Sequence, residues 1–184
     1  GFIATKDTVE YVSEFPSRLF GIAKTVIEGE WGFGDVYYDR TSFAKRELGK
    51  EFVGTASALT GITAAVYLAL MGPLGMQEIG KTIMQNAAYA AKQISFIPGL
   101  KANRFGTPFF REFLVDFSST GLTAEEVNEG LRNHNILGAV DVSSQFPELG
   151  QSSLFCVTEM HSKKDILALC DALSSISVAK GGKE

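Results

Sequence analysis

A run without charged side chains, from Phe52 through Gln77, constrains the fold of this chain more than any other feature. A helix that crosses the hydrocarbon core of a bilayer needs about 20 predominantly apolar residues. Here small and polar residues dilute the run, and Gly72-Pro73 interrupts it. The small and polar residues are Gly54, Thr55, Ser57, Thr60, Gly61 and Thr63. The pattern therefore favours a helix over 55–71 that is buried on nearly all sides of a folded protein, and not a membrane span.

A second helix is predicted directly after this interruption. Pro73 suits the first turn of a helix, where a missing backbone N–H costs no hydrogen bond. From there to Phe96 apolar residues recur at helical spacing, which predicts an amphipathic helix that ends before Pro98-Gly99. The repeating positions are Met76, Ile79, Ile83, Ala87 and Ala91.

The remainder of the chain alternates strands and helices. Aromatic-rich 109–117 predicts a strand, and Thr123 with Glu126 forms a capping box that begins a helix to Asn133. Strands are predicted over 136–142 and 153–159. Ser162 caps a last helix whose buried face is Ile166, Leu167, Leu169, Cys170 and Leu173. This order predicts an α+β layer, in which helices cover one face of a mostly antiparallel sheet.

The first 50 residues have a different character. Strands are predicted over 1–5 and 19–26, a turn-rich hairpin tip over 28–34, and a polar helix over 39–51. These strands have no complete sheet of their own. Because the chain opens on Gly1 without an initiator methionine, we expect either a piece of a longer protein or a processed mature chain.

Composition excludes several classes of protein. A formal net charge of −4 is not that of a typical nucleic-acid binder. Two cysteines cannot form a disulfide framework, so we expect a reducing, cytoplasmic compartment. Cys156 and Cys170 are predicted to be reduced and buried. His134 and His161, without clustered cysteines, do not indicate a zinc site.

No motif in the chain is a catalytic signature. The glycines of 29–34 do not have the spacing of a nucleotide-binding loop, so a hairpin is expected there. Ser57, Ser152 and Ser153 lack the flanking glycines of a nucleophile elbow. His134 is expected at a helix C-terminus and not as a general base.

Two clusters of charged residues remain. In His161-Ser162-Lys163-Lys164 a lysine beside a histidine resembles a pyridoxal phosphate site, yet both lysines are expected on the surface of a terminal helix. The segment Arg40–Lys50 alternates cations with Glu47 and Glu51. It predicts either a salt-bridged exposed helix or a basic lip that faces an anionic ligand or partner. No residue is predicted to be catalytic, to bind a cofactor or to bind a metal.

Several stretches together resemble the P-protein of the glycine cleavage system. Phe15–Gly21 resembles its Met-Pro-Gly-Arg-Leu-Val-Gly, and Ala64–Gly75 its Ala-Ala-Val-Tyr-Leu-Ala-Leu-Leu-Gly-Pro-Glu-Gly. Arg40 and Lys45–Glu47 match a third stretch of the P-protein sequence in register. Also similar are Gly1–Ala4, Glu148–Gly150 and Cys156–Glu159. The sequence departs from the family over Leu48–Gly54, where only the flanking Glu47 and Thr55 match.

The resemblance is to subunit 1, the N-terminal half of P-proteins that are split into two chains. It implies the fold of type I pyridoxal-phosphate enzymes, with residues 1–52 as the tail of the large domain and 53–184 as the small C-terminal domain with its linking helices. It also implies that the complex decarboxylates glycine and transfers the aminomethyl group to lipoyl H-protein. Subunit 2 would hold the pyridoxal phosphate, so none is expected on this chain, which alone would be inactive.

Two alternatives stay open from the residues. The residues also fit a non-catalytic α+β interaction or regulatory domain, or a fragment of another aminotransferase-like enzyme. In every case the apolar helix over 55–71 predicts a surface that needs covering, and hence self-association of the chain.

Overall fold

A computed structural model describes residues 4–15, 19–48 and 58–181. The chain divides into two compact units, Gly1–Leu70 and Met71–Glu184. The predicted division between residues 52 and 53 falls within 49–57, outside the described residues, as do 1–3 of the first predicted strand.

The first unit is built around a β-hairpin. Strands β1 (Phe20–Lys24) and β2 (Trp31–Asp35) pair antiparallel, with Phe20 opposite Asp35 and Lys24 opposite Trp31. Gly29 lies in the connecting turn with a φ of 85°, a conformation that favours glycine. The hairpin and its first strand are confirmed, although the second strand already begins at Trp31.

Short helical turns flank the hairpin. Helix α1 spans Val9–Val12, and 3₁₀ helices cover Tyr38–Arg40 and Ser42–Leu48. The polar helix predicted over 39–51 is therefore wrong in type within the described residues. The backbone closes i→i+3 turns there, such as Arg40 N–H to the Tyr37 carbonyl at 3.0 Å.

Helix α2 (Ala58–Ile94) crosses from the first unit into the second and is broken at Gly72. Gly72 has φ 59° and ψ −178°, and Pro73 has no backbone N–H to continue the ladder. The two predicted helices are thus found on either side of the predicted interruption.

Burial separates the two parts of α2. The prediction that the first part is buried nearly all round is wrong, because none of residues 59–70 is buried and Leu59 and Leu70 are each about four-fifths exposed. The apolar pattern was real, but no described part of the chain covers it. The second part is amphipathic as predicted, with Ile83, Ala87 and Ile94 in the core.

By length and composition alone, Leu59–Ile94 is the one helix among the described residues that could cross a membrane. Its part before Gly72 is shorter than the roughly 20 residues that a span needs. Its part after Pro73 contributes Ile83, Ala87 and Ile94 to the protein core. These facts favour a helix that packs against protein.

The second unit contains a four-stranded sheet of order β3-β4-β6-β5 in which every pair is antiparallel. Its strands are β3 (Lys101–Ala102), β4 (Glu112–Asp116), β5 (Val140–Asp141) and β6 (Ser152–Cys156). Helices α3 (Ala124–Asn133) and α4 (Lys163–Gly181) complete the layer. The predicted strand–helix–strand–strand–helix elements are all present, but the strands are shorter than predicted and β3 was not predicted.

One face of this sheet carries the core. Phe113, Val115 and Phe155 alternate along β4 and β6 and cluster with α2, α3 and α4. The helices contribute, among others, Ile94, Leu131 and Leu173 to this cluster. The predicted arrangement, helices on one face of an antiparallel sheet, is therefore confirmed.

Candidate functional site

The face of the sheet that the helices leave uncovered contains a groove of about 480 Å³. Leu114 of β4 lies opposite Leu154 of β6 and both line it, because side chains alternate between the two faces of a strand. Loop residues Phe105 and Phe146 also line the groove and remain largely exposed. The groove is therefore an apolar surface bounded by aromatic side chains.

Arg104 ties together the two loops that bound this groove. Its Nη1 lies 3.2 Å from Asp116 Oδ2 and also donates to the Leu149 carbonyl, and its Nη2 donates to the Glu148 carbonyl at 3.2 Å. The side chains of Arg104 and Asp116 are mostly buried. A guanidinium that satisfies a carboxylate and two carbonyls at once holds the loops in one arrangement.

The N-terminus of α3 is not an open anion site. Thr123 Oγ1 accepts from Glu126 N–H at 3.1 Å, and Glu126 Oε2 accepts from Thr123 N–H at 2.8 Å, which is the predicted capping box. Gln151 Oε1 accepts from Ala124 N–H at 3.0 Å. The backbone N–H groups of Thr123, Ala124 and Glu126 are therefore already partnered and do not offer an anion site.

A second concavity, of about 500 Å³, lies beside the hairpin in the first unit. Arg40 lines it, but its guanidinium is 2.5 Å from the carboxylate of Asp7. Lys24 lies 5.9 Å from the centre of the Trp31 ring. Arg40 is thus salt-bridged, although its partner is Asp7 and not the predicted Glu47 or Glu51. The side chains of Lys45, Arg46 and Lys50 lie outside the described residues.

The His161–Lys164 cluster forms the start of α4. Nδ1 of His161 accepts from Thr158 N–H at 3.0 Å, so this ring stabilises a turn. Ser162 caps the helix as predicted, and its hydroxyl donates to Asp165 Oδ2 at 2.6 Å, which lowers the pKa of Asp165. Lys163 and Lys164 are exposed in the first turn, as the sequence predicts.

The other histidine and the serines considered as possible catalytic residues have structural positions where they are described. His134 is the exposed C-cap of α3, as predicted. Ser152 and Ser153 are buried in β6, and the Ser152 hydroxyl donates to the Leu149 carbonyl at 2.6 Å. Ser57 lies outside the described residues. Within 4–15, 19–48 and 58–181 no group of three or more histidine, cysteine or acidic residues could hold a metal.

The cysteines differ from the prediction. Both are free thiols, but Cys156 is exposed and Cys170 is half-buried. Phe155 faces the core, so the next residue, Cys156, faces the uncovered side of the sheet. Burial raises the pKa of the Cys170 thiol, which fits its position on the inner face of α4.

Neither the groove nor the role of Arg104 was predicted from the sequence. One signal was present: β4 and β6 each contain three consecutive apolar residues, Phe113–Val115 and Leu154–Cys156, and such runs place apolar side chains on both faces of a sheet. The loops that hold Phe105 and Phe146 have no comparable pattern, because their positions depend on the long-range contacts of Arg104.

Comparisons with known proteins place these features in context. Residues 1–173 match the family model described as "Glycine cleavage system P-protein". The "Probable glycine dehydrogenase (decarboxylating) subunit 1" of Staphylothermus marinus is 33% identical over 96% of this chain and 37% of its own length. The protein of the same name from Pyrococcus furiosus is 34% identical over 96% of this chain and 38% of its own. The chain thus spans a little over a third of these relatives.

A solved structure is similar as well. It is a "glycine decarboxylase (P-protein) of the glycine cleavage system, in inhibitor-bound form", with a TM-score of 0.70 and 28% identity. The match covers 91% of this chain and 37% of that one. This likeness confirms the fold class that the resemblance implied.

Proposed function

The chain belongs to the family of the glycine cleavage system P-protein, and on that premise we propose that it is the C-terminal part of subunit 1 of a glycine decarboxylase. The complete enzyme would decarboxylate glycine and transfer the aminomethyl group to lipoyl H-protein. The observation that carries this proposal is the match of residues 1–173 to the family, together with relatives of subunit 1 that match along 96% of the chain.

Pyridoxal phosphate would be bound by subunit 2 and not by this chain. When bound, it acts as an electron sink for a carbanion, and it requires a lysine inside an enclosed phosphate-binding pocket. The described residues do not fit that requirement, since each described lysine side chain is exposed. These are Lys6, Lys24, Lys81, Lys92, Lys101, Lys163 and Lys164.

The residues of this chain would form a surface on which the other parts of the enzyme pack, and this contact would orient those parts. The exposed apolar side chains of 59–70 and of the hairpin support this role. Surfaces of this kind mark sites of protein contact. Subunit 2 would be the lasting partner, in a heterotetramer, and H-protein a transient one.

We further propose a cytoplasmic location, which the free thiols of Cys156 and Cys170 support. The two alternatives, an interaction domain and a fragment of another aminotransferase-like enzyme, receive less support. Neither accounts for a family match that extends over nearly the whole chain.

The test combines cofactor binding with activity. The chain is incubated with pyridoxal phosphate, scanned for absorbance, reduced with borohydride and mapped by peptide analysis. We expect no stoichiometric adduct and no release of CO₂ from glycine. Release should appear when complete subunit 1 is mixed with subunit 2 and lipoyl H-protein.

Two results would contradict the proposal. A stoichiometric adduct on one lysine of this chain would mean that it holds the cofactor itself. A mixture of both complete subunits with H-protein that releases no CO₂ from glycine would reject the assigned reaction.

A further inference from the structure

We propose that the turn between β6 and α4, residues 158–161, is a pH-sensitive switch, in which protonation of the His161 imidazole releases the ring from the Thr158 backbone and loosens the turn. The turn lies within the second unit, which closes its own core, and the proposed function gives it no role. Three observations carry the inference: the ring atom that accepts, the bonds that hold the turn to α2, and the charges around the ring.

The ring contact exists only while Nδ1 of His161 carries no proton. This nitrogen accepts from the Thr158 N–H at 3.0 Å, and Thr158 Oγ1 lies 3.4 Å from it. A neutral imidazole that accepts at Nδ1 carries its proton on Nε2, whereas both nitrogens of the cation are donors. Because a backbone N–H cannot donate to a protonated Nδ1, the contact is lost when the ring gains a proton. Histidine is the side chain that ordinarily changes charge between about pH 5 and 8.

Other bonds hold the same turn and do not depend on pH. Asn86 Nδ2 on α2 donates to the Thr158 carbonyl at 3.2 Å and to the His161 carbonyl at 3.0 Å. Within the turn, the His161 N–H donates to the Thr158 carbonyl at 3.3 Å. A carboxamide and a backbone amide do not change charge in this range of pH. Loss of the ring contact therefore frees the Thr158 N–H locally, and α2 keeps its hold on the turn.

The groups around the ring act on its charge in opposite directions. The Thr158 N–H favours the neutral ring, whereas the Asp165 carboxylate favours the cation. Hydrogen bonds from Ser162 are the largest cause that lowers the pKa of Asp165, and a positive charge on His161 lowers this pKa further. Protonation therefore exchanges the Thr158 contact for attraction to Asp165. Also beside the turn are Lys163 and Lys164 of α4, Tyr89 of α2, Glu159 of the turn, and Arg111, which is 3.7 Å from Glu112.

The experiment follows the chain, labelled with ¹⁵N and ¹³C, by NMR between about pH 8 and 5. At the upper pH we expect the ring nitrogen shifts of His161 to show a proton on Nε2 alone. As the ring titrates, the protection of the Thr158 amide against hydrogen exchange should fall about three- to tenfold, the value of one ordinary hydrogen bond. The ¹³Cα shift of Leu173 should remain helical, because the change is confined to the turn.

Three variants separate the proton from the contact. His161→Ala removes the acceptor, so the Thr158 amide should have the low protection at both pH values. His161→Asn places an amide oxygen where Nδ1 lies and cannot gain a proton in this range, so it should keep the high protection at both. His134→Ala is the control at the other histidine, the exposed C-cap of α3, and should retain the pH dependence of the parent chain.

Any of four results would overturn the proposal. The first is a His161 ring that carries its proton on Nδ1 at the upper pH, and the second is Thr158 protection that does not change while the ring titrates. The third is a His161→Asn chain as sensitive to pH as the parent. The fourth is loss of the helical shift of Leu173, which would mean that acid unfolds α4 and not only the turn. Dispersed amide spectra of each variant at the upper pH establish that it is folded.

Discussion

The two units use similar aromatic pairs in opposite ways. In the first unit Phe20 stacks on Phe33 with 5.9 Å between ring centres, yet Phe33 is 75% exposed. In the second unit Phe113 stacks on Phe155 at 6.2 Å, and both are buried. Burial of apolar area provides most of the stabilisation, so the second pair contributes far more than the first.

This difference indicates what each region is for. The second unit closes its own core between three helical segments and one face of a sheet. The first unit leaves the hairpin and residues 59–70 exposed. Within the described residues it presents surface that other polypeptide would cover.

The largest expected effect comes from truncating one ring in each pair. Phe155→Ala should lower the free energy of unfolding of the second unit by about 3–5 kcal/mol, because a cavity remains in the core. Phe33→Ala should cost under about 1.5 kcal/mol, the value of an exposed pair. Urea unfolding followed by circular dichroism measures both. Equal losses would remove the distinction between the regions.

Two glycines with almost the same φ sharpen the comparison. Gly138 and Gly29 have φ of 86° and 85°. A Cβ at Gly138 would lie 2.3 Å from Asn128 Oδ1, whereas at Gly29 it meets nothing within 4 Å. Gly138→Ala should therefore cost about 2–4 kcal/mol from strain and crowding together. Gly29→Ala should cost about 1–2 kcal/mol from strain alone. Thermal unfolding of both variants checks the difference.

The exposed helix is tested by sedimentation velocity. The chain should self-associate at high concentration, and Leu59→Glu with Leu70→Glu should weaken association by at least about a hundredfold, since burial of each leucine is worth about 1.5–3 kcal/mol. Leu137→Glu, at an exposed leucine of the second unit, serves as the control and should have little effect. A parent chain that stays monomeric and binds no apolar dye would refute the expectation.

The smallest effect concerns two threonine N-caps. Thr123 caps α3 through its side chain, whereas Thr8 precedes α1 without a side-chain cap bond. Thr123→Ala should lower the free energy of unfolding by about 1 kcal/mol. Thr8→Ala should change it by a few tenths at most, because no cap bond is lost. Chemical unfolding of the two variants measures both changes in the free energy of unfolding. If Thr8→Ala lost as much as Thr123→Ala, Thr8 would have to act as a cap, which the structure does not show.

Local chemistry was sufficient for much of the fold. The capping box at Thr123, the N-cap at Ser162, the break at Gly72-Pro73 and the hairpin around Gly29 were predicted and found. Each depends on residues within a few positions of one another. Such contacts form whatever the rest of the chain does, so the sequence alone determines them.

Tertiary structure decided what is buried and what meets across the chain. Residues 59–70 have an apolar pattern but no cover among the described residues, and Cys156 lies on the uncovered face of its sheet although it follows two apolar residues, Leu154 and Phe155. Arg104 reaches carbonyls more than 40 residues away, at Glu148 and Leu149. Periodicity reports how apolar a face is, whereas burial depends on which other surface packs against it, and that partner is chosen only when distant segments come together.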